Sequence, residues 1–299
     1  MSAPHRPPPR QGTRGFILVA VLWILAALAG FVAVYSVYVS GTAMASAARD
    51  EGHLARSLAT AAVELSAYRL VSVPKDRRPT HGEVSLRMGR ASVVAEFRDE
   101  AARIDLNAAP RELLAGLFVA LGAQPEAADG YADRILAFRS PPSGAQEAEA
   151  AIYRDAGLGH GPRGAPFVHV DEIWRVAGLP PALVGAALAH VTVFSGRGAV
   201  NADEADPVVR AALPDALRPA VSAPAAVPAG TAPAAPPAER SDAVRVSVRI
   251  AFDGGRQRAA EAVILVRDFG TDPYRVLSWR EDLDGPMELP PRAEKARRP

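Results

Sequence analysis

The 299-residue chain contains no cysteine, which excludes disulfides, thiolate metal sites and thiol catalysis together. Its net charge is only +1, so no global field favours nucleic acid or anionic lipid. The signatures of common catalytic sites are also missing. The six histidines (His5, His53, His81, His160, His169 and His190) form no HExxH pair, and there is no G-x-S-x-G elbow. The glycine-rich stretch from Gly157 to Gly164 lacks the Lys-Ser or Lys-Thr of a phosphate-binding loop and reads as a loop. Carboxylates gather at Glu147, Glu149 and Asp155 and again at Asp203, Glu204 and Asp206, without EF-hand spacing. They read as solvated helix ends, with calcium the one conceivable ligand. The expectation is a protein that is not an enzyme and has no cofactor.

Charge is absent altogether from Phe16 to Val39, a run of 24 residues. As a helix rising about 1.5 Å per residue, it crosses the roughly 30 Å hydrocarbon core of a bilayer. It is too long for the apolar stretch of a secretory signal, which has about 7 to 15 residues. Before it stand Arg6, Arg10 and Arg14 with no acidic residue. The positive-inside bias therefore predicts a cytoplasmic N-terminus and a C-terminal bulk on the far side of the membrane. From Arg49 the positions Leu54, Leu58, Ala61, Leu65 and Tyr68 recur at spacings suited to one helix face, and Pro74 ends the helix. This predicts a helix over 16–73 with a transmembrane half (16–39) and an amphipathic half (49–73). A plain single-pass anchor with a helical stalk fits that pattern.

Over 74–102, Val84, Leu86 and Met88 alternate, Gly89-Arg90 forms a turn, and Val93 and Val94 lead to Phe97, which predicts a β-hairpin. Residues 103–217 read as a helical domain, with helix starts near Pro110, Pro125, Gln146, Asp171, Pro180 and Pro207. Residues 218–240 are rich in Pro and Ala and read as a linker. Strands return over 241–280 around the Asp253-Gly254-Gly255 turn, and the charged, Pro-rich tail 281–299 reads as disordered. The expected fold is α+β: a long N-terminal helix packed on a small antiparallel sheet, with a large all-α domain inserted between strands.

Two motifs bracket the insert, Asp105-Leu106-Asn107 and Val200-Asn201, each ahead of a Pro-led helix. Taken singly, Asp105, Asn107 and Asn201 read as helix caps. Between them, His169 to Pro181 reads as helix, Gly178 terminator and second helix. Such a helix-hairpin-helix can hold phosphates on backbone N–H groups, but Asp171 and Glu172 would repel them, so packing is the better reading and no nucleic acid is expected. The alternative is a membrane-anchored DNA-binding or DNA-uptake protein.

The Arg14-Gly15-Phe16 junction resembles the processing site of type IV pilins and pseudopilins, where a prepilin peptidase cuts after the Gly and methylates the new terminal Phe. The fifth mature position, usually Glu in that family, is Ala20. That departure, the paired Asn motifs and the element order resemble the K-type minor pseudopilins of type II secretion systems (general secretion pathway protein K). The Phe138-Arg139-Ser140 and Gly144 to Tyr153 segments depart from the acidic sequences usual there, so no metal ligands carry over. The resemblance implies a leader (1–15) removed by the peptidase and lipid contact through 16–39. It implies inner-membrane residence with periplasmic domains, and other minor pseudopilins and the pseudopilus as partners. The implied role is capping the pseudopilus tip and helping start its assembly for protein export across the outer membrane.

Overall fold

The computed structural model describes residues 14–141, 146–214, 240–268, 270 and 272–282. The expected leader before Arg14, nearly all of the expected 218–240 linker and the tail from 283 lie outside them. Two compact units emerge, 1–57 and 58–299.

The first unit is helix. α1 runs from Arg14 to Val71 and contributes residues to both units. Within it, Ile17–Thr42 is long and apolar enough to cross a membrane. Trp23, Phe31, Val37 and Tyr38 are exposed along it, as a helix made for an apolar solvent should be.

In the second unit a five-stranded antiparallel sheet has the order β1-β2-β5-β6-β7. Its strands are β1 (His81–Met88), β2 (Ala91–Asp99), β5 (Ala243–Phe252), β6 (Gln257–Val266) and β7 (Tyr274–Asp282). The β1–β2 hairpin pairs Met88 with Ala91 across a two-residue turn. Gly89 supplies the positive φ, 58°, that such a turn needs. Along β2, Ala91, Val93, Ala95 and Phe97 are buried, and along β5 Val244, Val246, Val248 and Ile250, so one apolar face faces a core.

That face is met by residues 58–70 of α1. Arg69 donates to the Glu83 carbonyl at 2.8 Å, and its guanidinium lies 5.9 Å from the centre of the Phe97 ring. The buried stripe is Leu58, Ala59, Ala62, Val63, Ser66, Ala67 and Leu70. This corrects the expected stripe: Leu58 is buried, but Leu54 is 44 % exposed, Leu65 42 % and Tyr68 72 %. The buried face thus mixes Ala59, Ala62 and Ala67 with Leu58, Val63 and Leu70, and Leu54, Leu65 and Tyr68 fall outside it.

β2 and β5 are neighbours although residues 100–242 separate them, so the helical part is spliced into the middle of the sheet. Its elements are β3 (Ile104–Asp105), α2 (Arg111–Ala120), α3 (Pro125–Arg139), α4 (Gln146–Asp155), α5 (Pro181–Ala187), β4 (Val191–Thr192) and α6 (Pro207–Ala212). β3 and β4 form a short parallel pair. The insert has its own core, in which Leu114, Leu117, Phe118, Ile135, Phe138 and Ile173 are fully or almost fully buried. α2 and α6 pack closely at Gly116, where an added Cβ would lie 2.1 Å from the Ala212 carbonyl oxygen. The segment expected as a helix after His169 is instead a six-residue 3-10 turn, Val170–Arg175, whose N–H at Asp171 is taken by His169 Nδ1 at 3.2 Å.

Candidate functional site

At the membrane end, Gly15 and Phe16 lie in the first turn of α1 and Ala20 one turn further on. No acidic residue stands in that first turn, so nothing on the helix offsets the positive end of its dipole.

The three motif residues sit in the insert, where the side chains of Asp105 and Asn107 tie distant segments together. Asp105 is buried; its Oδ1 accepts from Asn107 N at 2.7 Å, and its Oδ2 accepts from Ser195 Oγ at 2.9 Å and Gly196 N at 2.7 Å. Asn107 pairs with the backbone of Phe167 in both senses: Nδ2 donates to the carbonyl at 2.9 Å, and Oδ1 accepts the N–H at 2.7 Å. Asn201 donates its backbone N–H to Ala101 O at 2.8 Å and accepts from Asp203 N at 3.2 Å. The expected capping of the following helices is thereby corrected. α2 is preceded by Pro110 without a side-chain cap, and α6 is capped by Asp206, which accepts from Val208 N and Val209 N at 2.8 and 3.0 Å. The Asn107 amide is spent on a tertiary contact with Phe167, whereas the Asn201 side chain closes a local turn with Asp203 and only its backbone N–H reaches across to Ala101.

Where the insert meets the sheet, charges the sequence did not single out form a buried line. Glu100, with no exposed surface, receives Arg245 Nε at 2.6 Å, Arg245 Nη2 at 3.1 Å and the Thr192 hydroxyl. Arg245 Nη1 then reaches Glu261 at 2.5 Å. Burial alone would push Glu100 up, but the Arg245 charge and its hydrogen bonds hold the carboxyl below its ordinary range. Burial works against the Arg245 charge as well, and the two carboxylates keep the guanidinium firmly protonated. One carboxylate thus ties β5 to β4, joining sheet to insert. Asp99, at the end of β2, accepts from Ala101 N at 2.8 Å and from Ser241 N at 3.1 and 3.2 Å, so it touches both the start and the end of the insert. The only sequence signal for this joint was an acidic pair, Asp99-Glu100, closing an apolar strand.

The other candidate chemistry finds protein partners. Glu204 accepts from Thr80 at 2.7 Å and contacts His81 Nδ1 at 2.9 Å, and Asp206 contacts His190 Nδ1 at 2.8 Å. Glu149 pairs with Arg134 at 3.4 Å; the Glu147 side chain lies outside the description. Among the described residues, no three His, Asp or Glu side chains converge as a metal site would require. At the hairpin, Arg163 is bound to Glu172 at 2.5 Å and the acidic pair stands at its start, a poor cradle for phosphates.

Comparison with known proteins follows the same outline. The family model for type II secretion system (T2SS), protein K matches residues 94–196, from the middle of β2 to just past β4. No curated protein sequence matches. Among solved structures, a chain of the GspK-GspI-GspJ complex from the enterotoxigenic Escherichia coli type 2 secretion system shares the fold, with a TM-score of 0.57 at 16 % identity. The match covers 79 % of this chain and 98 % of that one.

Proposed function

We propose that this chain, which belongs to the type II secretion system protein K family, is the minor pseudopilin that closes the tip of a periplasmic pseudopilus and helps to start its assembly. Ala20 carries the reading. In a filament of such subunits, a carboxylate at the fifth mature position neutralises a neighbour's terminal amine inside an apolar helical core, where an unpaired charge costs several kcal/mol. A methyl group there cannot do so. The insert between β2 and β5 adds bulk to the head, which opposes the stacking of a further subunit. Partners of this kind are supported by the shared fold with a chain of the GspK-GspI-GspJ complex.

The segment Ile17–Thr42 anchors the chain in the inner membrane, with the N-terminus cytoplasmic and the sheet and insert periplasmic. A prepilin peptidase cuts between Gly15 and Phe16. The test is localisation in assembled filaments: gold-labelled antibody to the insert should mark one end of each pseudopilus, at about one copy per filament. Label spread along the shaft would overturn the tip assignment. Ala20→Glu should move part of the label into the shaft.

A further inference from the structure

Two turns close one end of the five-stranded sheet, Gly89-Arg90 between β1 and β2 and Asp253 to Arg256 between β5 and β6. They abut: Asp253 N donates to the Arg90 carbonyl at 2.9 Å, and Ala91 is paired with Phe252. The sheet-bound part of α1 gives this end a direction. Arg78 Nε donates to Leu70 O at 2.9 Å and Arg69 Nη1 to Glu83 O at 2.8 Å, so β1 begins beside the last turn of the helix and runs back from there toward Leu58. The turns therefore stand at the end of the sheet at which α1 comes in from its apolar segment Ile17–Thr42.

Charge is lopsided there. Residues 84–95 and 248–260 hold Arg87, Arg90, Arg249, Arg256 and Arg258 against a single acidic residue, Asp253, although the whole chain is nearly neutral. Arg249 is taken up by Glu96, and Arg258 is partly buried, while Arg87, Arg90 and Arg256 are exposed. Arg87 reaches Asp253 at 3.1 Å, but both side chains are open to solvent, 64 and 41 % exposed, so the pair holds weakly. The last residues of β7 come in beside β6 with Arg280, Glu281 and Asp282, and the end as a whole stays positive.

We propose that this basic end of the sheet docks on anionic phospholipid headgroups of the membrane that α1 enters, a reading that rests on the anchoring role of Ile17–Thr42. Reach allows it. From Thr42 to Leu58 a helix rises about 24 Å, of which the headgroup layer takes about 5 to 7 Å. Long arginine side chains and a Debye length of about 8 to 10 Å cover most of the rest. An acidic protein face would suit the same guanidinium groups, but a lipid surface is within tether range of each anchored copy and so is present at high effective concentration. Each arginine brought near such a surface raises the docked population about fivefold.

The test is energy transfer from the turns to the lipid surface, with the full chain in nanodiscs. The chain has no cysteine, and Gly254 has open space around it, so Gly254→Cys takes a single donor dye without disturbing the turn. With an acceptor on the lipid headgroups, transfer should be higher in discs containing phosphatidylglycerol than in phosphatidylcholine alone, and high salt should return it to the phosphatidylcholine level. Arg87→Gln with Arg90→Gln should lower the docked population about 25-fold, whereas Arg77→Gln, at the opposite end of the sheet, should leave it unchanged. Equal transfer in both kinds of disc, an unchanged double variant, or the same loss in Arg77→Gln would overturn the docking while leaving the anchor in place. A chain that does not enter the discs overturns both. A dye that responds to added polyglutamate in phosphatidylcholine discs and not to phosphatidylglycerol would assign the surface to an acidic protein and overturn the lipid reading.

Discussion

Replacing Glu100 by Ala tests whether the buried line of charges holds the insert to the sheet. The change removes the acceptor of two Arg245 bonds, at 2.6 and 3.1 Å, and of the Thr192 hydroxyl, all in a place without water. Breaking a buried pair by deleting one partner costs about 3 to 5 kcal/mol, because the other charge stays behind unpaired. Here Glu261 still holds Arg245 Nη1 at 2.5 Å, so the lower end, about 3 kcal/mol, is expected. With a urea slope of about 2 kcal/mol/M, the unfolding midpoint should drop by about 1.5 M. Urea titration of the chain in micelles reads this, with Trp174 reporting on the insert and Trp279 on β7. Arg245→Met in the Glu100→Ala background should restore part of the loss, since the stranded charge goes with it. A drop below about 1 kcal/mol, or no restoration in the double variant, would refute the reasoning. The pH dependence has its own sign. Glu100 is lowered from 4.5 in the fold, so its contribution is whole above that value and is lost as pH falls through the folded one.

Gly116→Ala should destabilise the insert by about 1 to 3 kcal/mol, since the new methyl collides with a backbone carbonyl and α2 must part from α6; calorimetry of the chain checks it. Asn107→Ala should cost about 1 to 3 kcal/mol, because Phe167 loses both backbone partners; increased exchange at the Phe167 amide would be the local sign. Gly15→Leu should leave the leader attached in a host with a prepilin peptidase, so the intact mass is retained; a chain that still begins at Phe16 would refute the processing assignment.

The strands were legible because the sheet buries one face, so alternation along 82–97 and 244–266 reports it, and because Gly89-Arg90 and Asp253-Gly254-Gly255 are turn sequences with few other uses. The splice between β2 and β5 followed from a change of period at Ile104 and its reversal near Val244. The buried face of α1 did not. Hydrophobicity ranks Leu54 and Leu65 above Ala59, Ala62 and Ala67, whereas the rotation of the helix on the sheet buries those alanines together with Leu58 and Leu70. The role of Asn107 was obscured for a related reason: a cap is a local rule, and its side chain's partner, Phe167, lies 60 residues away. The β3–β4 pair, two residues on each strand, is too short to leave a pattern. For the Glu100–Arg245 pair, separated by 145 positions, the acidic Asp99-Glu100 pair marks one partner and nothing in the sequence points to the other.

The placement of β2 beside β5 also governs how the molecule can be made. A chain delivered N-terminus first presents α1 and the β1–β2 hairpin early, while the strand that must complete β2 arrives only after residues 100–242 have followed. Until then the inner edge of β2 is an open row of unpaired N–H and C=O groups, the kind of edge that recruits the wrong strand. Joining ends so far apart in sequence makes sheet closure slow compared with the formation of local helices. The insert, with a core of its own, can fold in the interval and bring its two ends together, so that β5 reaches β2 as the near end of a finished domain. Biogenesis of this subunit is then timed by the folding of its insert, and variants that slow it should appear first as aggregation during synthesis, before any loss of stability in the finished protein.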